Sequence, residues 1–203
     1  MKIYFDGDSW TRGNEIDEER RFSHRFSGLV SKKLNAVETN LSRGGASNNR
    51  IARQLLTETD ISRYDLAIIQ MTYKDRTEYY DHKWRQVSIV DTPLVNFLSD
   101  SPWEKRKKRL EKWGRYNHEF WKQYYTDIYS DTCASIYEEM FATTIRNHCK
   151  VNNVPLILMT QNYHTKVKFD LQLHNKSRYP QTNNGHPTEE GHRIIADDIL
   201  RLI

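Results

Sequence analysis

The sequence predicts an α/β fold, a three-layer α/β/α sandwich of the flavodoxin-like kind with a mainly parallel central sheet. Short apolar runs at residues 2–5, 66–71 and 154–160 have the length of buried strands. Between them lie longer segments whose apolar residues recur at helical spacing. Strands that are joined through helices make right-handed crossovers and therefore a parallel sheet. The 203 residues suffice for one domain with a substantial core.

The first half of the chain contains three predicted strands and two predicted helices. The strands are Lys2–Phe5, Ala36–Leu41 and Leu66–Met71, and the last is continuously apolar, as is typical of a strand buried on both faces. The first helix is predicted to turn one stripe to the core, formed by Phe22, Phe26, Leu29, Val30 and Leu34. The second helix carries Ile51, Ala52, Leu55 and Leu56. Ser47 or Asn48 suits its N-cap.

Residues 77–118 predict an insertion with one basic helix, which we expect to border the site and affect substrate choice. The basic run Lys105–Arg109 could bind nucleic acid or an anionic surface. Glu104 and Glu111 flank it, which favours a solvated helix face with charge pairs instead. Nearby aromatic residues leave a glycan or polyanion surface open as an alternative; they are Trp103, Trp113, Tyr116, Phe120 and Trp121.

The second half is predicted to continue with a long helix capped near Ser130-Asp131, the strand Val154–Thr160 and a C-terminal helix. The long helix is expected to pack on the core through Cys133, Ile136, Tyr137, Met140, Phe141, Thr144 and Ile145. The C-terminal helix carries Ile194, Ile195, Ile199 and Leu202. Cys133 and Cys149 are too far apart on one helix to form a disulfide. We therefore expect buried free thiols and a reducing compartment.

Composition narrows the class of protein. Hydrophobic residues make up 37% and charged residues 29%, with a net charge of +4, as in a water-soluble globular domain. No apolar run approaches the ~20 residues that cross a bilayer, and Met1-Lys2 leads directly into a strand rather than a signal peptide. We therefore expect a cytoplasmic or otherwise non-secreted protein. No metal-ligand spacing is present, so neither a metal nor a cofactor is expected.

Polar residues follow several of the predicted strands. Ser9, Gly45 and the segment Thr72–Lys74 each come after a strand, so they should meet at the carboxyl edge of the sheet, where such folds bind ligands. Ser9 follows a turn at Gly7 that can hold a nucleophile exposed and rigid. His186 lies in a loop before the last helix, where a neutral imidazole could accept a proton from serine near pH 7.

These residues resemble the signatures of the SGNH, or GDSL, hydrolases. Gly7-Asp8-Ser9 is similar to the first signature, Asn40–Ser47 to the glycine block, and His186-Pro187 with Gly191-His192 to the last. The three blocks follow the family's order across nearly the whole chain. The resemblance implies that Ser9 is the nucleophile and His186 the general base. It implies oxyanion donors at the backbone N–H of Ser9 and of Gly45, with Gly44 as second choice.

The chain departs from the family pattern at two positions. Lys74 stands where the third signature has the oxyanion asparagine, and Thr72 replaces its glycine; Lys74 could still supply an N–H to the oxyanion. Asn183 replaces the aspartate three residues before the histidine. An asparagine can orient a histidine but cannot stabilise imidazolium with a full charge. This leaves three interpretations: a serine–histidine dyad, a carboxylate recruited from elsewhere, or a non-catalytic protein.

Two further residues are candidates for substrate contacts. Asp8 lies beside the nucleophile, and Arg76 could hold an anionic or carbonyl group of the substrate. A structural ion pair of Arg76 with Glu78 is the alternative. The resemblance implies a serine esterase that removes a small acyl group, such as acetyl, from a carbohydrate or similar alcohol. The alternatives are a binding protein for a glycan or anionic polymer that keeps the fold, and an acyltransferase that uses the same serine.

Overall fold

The computed structural model describes residues 1–80, 84–87, 123–162 and 165–203. Its main sheet has five strands in the order β2-β1-β3-β6-β7, all parallel. The strands are β1 Lys2–Asp6, β2 Val37–Asn40, β3 Leu66–Met71, β6 Leu156–Thr160 and β7 Leu171–Gln172. The remaining two, β4 Thr77–Tyr80 and β5 Trp84–Val87, form a separate antiparallel hairpin. The predicted parallel sheet is thus confirmed, and β7 is a short edge strand that the sequence did not indicate.

The helices connect the strands in the predicted alternation. They are α1 Ser9–Arg12, α2 Glu18–His24, α3 Phe26–Lys33, α4 Asn48–Thr57, α5 Asp131–Val151 and α6 Glu189–Leu200, with a short 3-10 turn at Ile61–Arg63 and a π-helical turn at Tyr124–Ile128. Ser47 caps α4 and Ser130 caps α5, each by accepting a hydrogen bond from a backbone N–H of the first turn. Both predicted caps are confirmed.

The core consists of two apolar clusters, one on each face of the sheet. Ile51 of α4 and Ile145 of α5 belong to the cluster that contains Tyr4 and Ile69. The other cluster joins α3 and α6 to the sheet through Phe5, Phe26, Val30, Ile195 and Ile199. Alternate residues of β1 and β3 therefore face different clusters, as the period of a strand requires. Helices on both faces make the predicted three-layer sandwich.

Two predicted helical stripes are wrong in part. The segment 22–34 is two helices that meet at Arg25, whose extended backbone ends α2, and Phe22 is 54% exposed. On α5 the residues Ile136, Tyr137 and Met140 are exposed, whereas its small residues Ala134 and Ala142 are buried. Small side chains let the helix approach the sheet closely, so packing selects a different face from the bulkiest apolar stripe.

The two cysteines also differ from one another. Both lie on α5 and both are free, as predicted, but Cys133 is exposed and only Cys149 is buried. Burial raises the pKa of the Cys149 thiol to about 11. The predicted basic helix, with the run Lys105–Arg109 and its neighbouring aromatic residues, lies outside the described residues. In the described part of the chain, no helix has both the length and the apolar character that crossing a bilayer requires.

Candidate active site

Ser9 is the first residue of α1, directly after the carboxyl end of β1. Asp8 caps this short helix, because its Oδ1 accepts a hydrogen bond from the N–H of Trp10 at 2.9 Å. Trp10 and Thr11 are buried, and Thr11 donates to Gln70 of β3. The turn that carries the serine is therefore held from both sides by buried contacts.

His186 lies on a short loop that precedes α6. The loop is closed by the N–H of Thr182 donating to the His186 carbonyl at 2.7 Å and by an antiparallel bridge of Gln181 with Pro187. Upstream, Tyr179 donates to Asp198 of α6 at 2.8 Å. These contacts tie the loop to the last helix and hold the imidazole near the carboxyl edge of the sheet.

The Ser9 and His186 side chains meet. Their Oγ and Nε2 atoms are 2.9 Å apart, although 177 positions separate the residues in the sequence. This distance is that of a hydrogen bond, and it suits a proton transfer from the serine hydroxyl to the imidazole. Ser9 itself is 6% exposed, and the His186 side chain is 23% exposed.

Glu15 lies on the far side of the imidazole. Its Oε1 is 2.9 Å from His186 Nδ1, without the alignment of a hydrogen bond, and the two groups form an ion pair when the ring is protonated. The other carboxylate oxygen accepts from Asn184 Nδ2 at 3.3 Å. The sequence analysis left open a carboxylate recruited from elsewhere, but no motif or spacing pointed to Glu15.

The chain reaches Glu15 through a tight reversal at the end of α1. Gly13 has φ +74°, a left-handed conformation that glycine adopts without a steric penalty. Its N–H donates to the Ser9 carbonyl at 3.0 Å, and the N–H of Asn14 donates to the same oxygen at 3.1 Å. Ile16 is buried on the other side of the reversal. Glu15 is thereby brought back towards the residue that begins the helix.

A buried polar cluster surrounds Asp8; we call it the aspartate cluster and define it as Asp8, Gln70, Thr72, Arg76 and Gln161. Asp8 is fully buried and accepts hydrogen bonds from all four other members. The Arg76 contact is the ion pair of the cluster, at 2.6 Å between Nη1 and Oδ2. Charge and hydrogen bonds together satisfy a carboxylate that would otherwise be costly to bury.

The expected oxyanion donors are backbone groups. Neither the N–H of Ser9 nor that of Gly45 donates to another residue in the described ranges. Gly45 is exposed, has φ +74° and has open space on the side where a Cβ would stand. Asn48, three residues further on, exchanges two hydrogen bonds with the backbone of Thr72. The glycine segment is thus anchored to the end of β3.

Two buried titratable groups lie close to the site. Desolvation raises the pKa of Asp6 to about 6, although its ion pair with Arg50 acts in the opposite direction. His192 on α6 is 1% exposed, and its Nδ1 accepts from the N–H of Phe26 at 3.3 Å. Burial lowers its pKa to about 3, and the neighbouring Arg25 and His186 add to this effect. His192 is therefore neutral in the folded protein at pH 7.

A pocket of about 570 Å³ opens between α5, the π-helical turn and the segment that follows β3. Its lining combines polar and aromatic side chains, including Asn48, Lys74, Arg76, Tyr124, Tyr137 and Glu138. Arg76 contributes to the pocket and also binds Asp8, the neighbour of Ser9. The volume of this pocket is in the range of small-molecule sites.

The fold and the geometry can be compared with solved structures. TesA superposes with a TM-score of 0.56 at 10% identity, covering 99% of this chain and 97% of that one. A lipase from a goat rumen metagenome, Lip_vut3, superposes with a TM-score of 0.54 at 11% identity, covering 99% of this chain and 96% of the lipase. A catalytic mutant of Axe2, an acetylxylan esterase from Geobacillus stearothermophilus, gives 0.51 at 14% identity, with 98% and 92% covered. No protein-family model and no curated protein matches the sequence.

The chain has the SGNH hydrolase fold. Its parallel five-stranded sheet with helices on both faces matches the fold of these neighbours. The identities of 10–14% are low, so the likeness concerns the fold, and the chemistry has to be argued from this chain's own residues.

Several of the residues selected by comparison with the SGNH pattern make contacts other than the predicted ones. Asn183 is exposed, and its side chain makes no hydrogen bond with His186 or any other described residue. Lys74 directs its ammonium group to Ser135 of α5 at 3.1 Å rather than towards Ser9. Arg76 pairs with Asp8 and not with Glu78, which binds Arg53. Asp8, a predicted substrate contact, is fully buried and accepts hydrogen bonds from the other members of the aspartate cluster.

Proposed function

We propose that this protein is a serine hydrolase of carboxylic esters that works through an acyl-enzyme on Ser9. The observation that supports this function is the 2.9 Å separation of Ser9 Oγ and His186 Nε2 at the carboxyl edge of a parallel sheet. A serine held at the start of a helix with an imidazole at hydrogen-bond distance is the arrangement needed for nucleophilic catalysis.

Acylation begins when Ser9 Oγ attacks the ester carbonyl while His186 Nε2 accepts the hydroxyl proton. The carbonyl oxygen becomes an oxyanion, and the backbone N–H groups of Ser9 and Gly45 donate to it. One such donor is typically worth about 3 kcal/mol in the transition state. The intermediate collapses when the bond to the alcohol oxygen breaks and His186 returns the proton to that oxygen. The alcohol leaves and the acyl group stays on Ser9.

Deacylation repeats these steps with water. His186 Nε2 removes a proton from a water molecule that attacks the acyl carbonyl, and the same two N–H groups stabilise the second oxyanion. Collapse of this intermediate breaks the bond to Ser9 Oγ, which recovers its proton from the imidazolium. The products are a carboxylic acid and the free enzyme.

The proposed substrate is an ester of a small acyl group such as acetyl with a carbohydrate or a similar alcohol, as the resemblance to the SGNH pattern implies. The described pocket does not include Ser9 or His186 in its lining, but its Arg76 binds Asp8, the neighbour of Ser9. Its aromatic rings, amides and charged groups suit a carbohydrate or a similar alcohol. The structural similarity to an acetylxylan esterase supports the same proposal.

Hydrolysis of p-nitrophenyl acetate tests the proposal. We expect Ser9→Ala to lower kcat/KM by on the order of 10³-fold or more, because the nucleophile is removed. Ser62→Ala is the matched control, since Ser62 is an exposed serine that donates only to Asp60. A fluorophosphonate probe should label the wild type and the control but not Ser9→Ala.

A non-catalytic binding protein is the competing function, and one observation favours it. Lys74 occupies the position of the family's third oxyanion donor and binds Ser135 and Asp131 instead. Equal hydrolysis by wild type and Ser9→Ala, together with no labelling of either, would exclude the esterase.

A further inference from the structure

We infer that Glu15 is the acidic residue that positions His186 and stabilises its protonated form, in the role that the SGNH pattern gives to an aspartate at position 183. This inference rests on the proposed serine chemistry and completes it. The order along the chain would be serine, acid, histidine, with the acid only six residues after the nucleophile. A triad is defined by geometry and roles rather than by sequence position.

Glu15 and Ser9 lie against opposite nitrogens of the His186 ring. Glu15 Oε1 lies 2.9 Å from Nδ1, while Nε2 of the same ring lies 2.9 Å from the serine oxygen. A carboxylate beside Nδ1 favours the tautomer with the proton on that nitrogen, which leaves a lone pair on Nε2 for the serine proton. Catalytic hydrogen bonds are often poorly aligned without substrate and tighten during reaction, so the short distance is the relevant observation.

Glu15 is itself held in place by its neighbours. Its second oxygen accepts from Asn184, on the same loop as His186. The Gly13 reversal ties the Glu15 backbone to the residue that carries the nucleophile. The acid is therefore linked to both partners of the proton transfer, and its side chain is only 26% exposed. Partial burial of the pair strengthens its electrostatic interaction relative to one in bulk water.

Among the described residues, no other carboxylate competes with Glu15 for the His186 ring. Asp8 is engaged by the other four members of the aspartate cluster. Glu189, at the start of α6, binds Arg20 and approaches His24. Position 183 offers an exposed amide that does not contact the ring. Of the carboxylates in the described ranges, Glu15 is the one within 4 Å of the His186 ring nitrogens.

The test compares Glu15→Gln with Glu19→Gln. Glutamine keeps the shape of the side chain and removes the charge, so the imidazolium loses its stabilising partner. We expect kcat/KM for p-nitrophenyl acetate to fall on the order of 10²- to 10⁴-fold in Glu15→Gln. Glu19 is an exposed glutamate on α2 without an ion pair to any described residue, so Glu19→Gln removes the same charge without affecting His186. Glu15→Asp should recover part of the rate.

A second readout separates positioning from a merely structural role. We expect the acid limb of the kcat/KM profile to move to lower pH in Glu15→Gln, because a neighbouring carboxylate favours the protonated ring. The titration of the His186 ring resonances, followed by NMR in the Ser9→Ala background, should move in the same direction. His192 is the other histidine nearby, and its burial keeps it neutral across this range.

The outcomes distinguish this inference from the proposed function. If Ser9 is required for hydrolysis and Glu15→Gln matches Glu19→Gln in rate and pH profile, Glu15 is not the acid and the esterase stands. If Ser9 is not required for hydrolysis, the esterase falls, and the NMR titration alone decides whether Glu15 faces the ring. An unchanged His186 titration in Glu15→Gln overturns the inference in either case.

Discussion

The two sides of the Ser9 turn are built in different ways. In the aspartate cluster, Asp8, Gln70 and Thr72 are fully buried, and Asp8 accepts a hydrogen bond from each of the other four members. On the other side, Glu15 and His186 are about one quarter exposed and meet through single contacts. The difference separates two tasks. The buried, hydrogen-bonded groups hold the turn rigid, whereas the side chains to which we assign proton transfer on the other side of Ser9 remain partly accessible to solvent.

The largest effect on stability is expected from Asp8→Asn. The amide removes the charge that pairs with Arg76, and it places an N–H₂ among groups that are themselves donors. Breaking a buried ion pair in this way typically costs about 3–5 kcal/mol in the free energy of unfolding. Urea denaturation at pH 7 measures this change.

Asp60→Asn is the control for that experiment, because Asp60 is exposed and its pair with Arg63 lies in solvent. We expect this control to unfold at nearly the wild-type urea concentration. Glu15→Gln, on the exposed side of the turn, should also leave the unfolding midpoint almost unchanged while reducing the rate. Similar losses of stability in Asp8→Asn and Glu15→Gln would contradict the division of tasks.

An intermediate effect is expected from the pH dependence of stability through His192. Its folded pKa is about 3, below the usual 6.5, so below pH 6.5 the unfolded chain binds a proton that the folded chain excludes. The contribution of His192 to the free energy of unfolding is therefore complete above pH 6.5. It falls by about 1 kcal/mol per pH unit as the pH decreases towards 3. Asp6 has the opposite effect: because its folded pKa is raised, its protonation increases the free energy of unfolding as the pH falls from about 6 to 3.8.

Comparison of the wild type with His192→Gln isolates the histidine, since Asp6 is present in both proteins. The glutamine does not titrate, so the variant should lose less stability than the wild type between pH 7 and pH 4.5. Urea unfolding at the two pH values gives the change in the free energy of unfolding for each protein. A loss of packing in the variant that is the same at both pH values cancels in this change. The same difference at both pH values would show that His192 is protonated inside the fold.

The smallest effect is expected from Asn183→Asp. Position 183 is exposed and does not contact His186, whose Nδ1 already faces Glu15. A new surface carboxylate should change the free energy of the transition state by no more than about 0.5 kcal/mol, which is about a twofold change in kcat/KM. A gain of a hundredfold would mean that residue 183 reaches the imidazole and that the exposed side of the turn is arranged differently.

The fold was predictable because its signals are local. The apolar run Leu66–Met71 became the fully buried central strand, and the caps at Ser47 and Ser130 lie where their hydroxyl groups could begin a helix. Periodicity failed on α5, because helical spacing gives the period of the buried face but not its phase. There Ala134 and Ala142 pack on the core while Ile136 and Met140 do not.

The sequence alone determined the parallel α/β sandwich and the sheet edge at which polar residues lie. It also selected Ser9 and His186 as a pair. Motif order and strand ends can be read from the sequence because both are local features. Tertiary structure decided which charges serve that pair. Lys74, Arg76 and Asn183 occupy the expected positions in the sequence, yet their side chains make other contacts or none among the described residues. Glu15 became a neighbour of the imidazole only because the Gly13 reversal brings it there, and contacts between distant segments depend on packing rather than on sequence spacing.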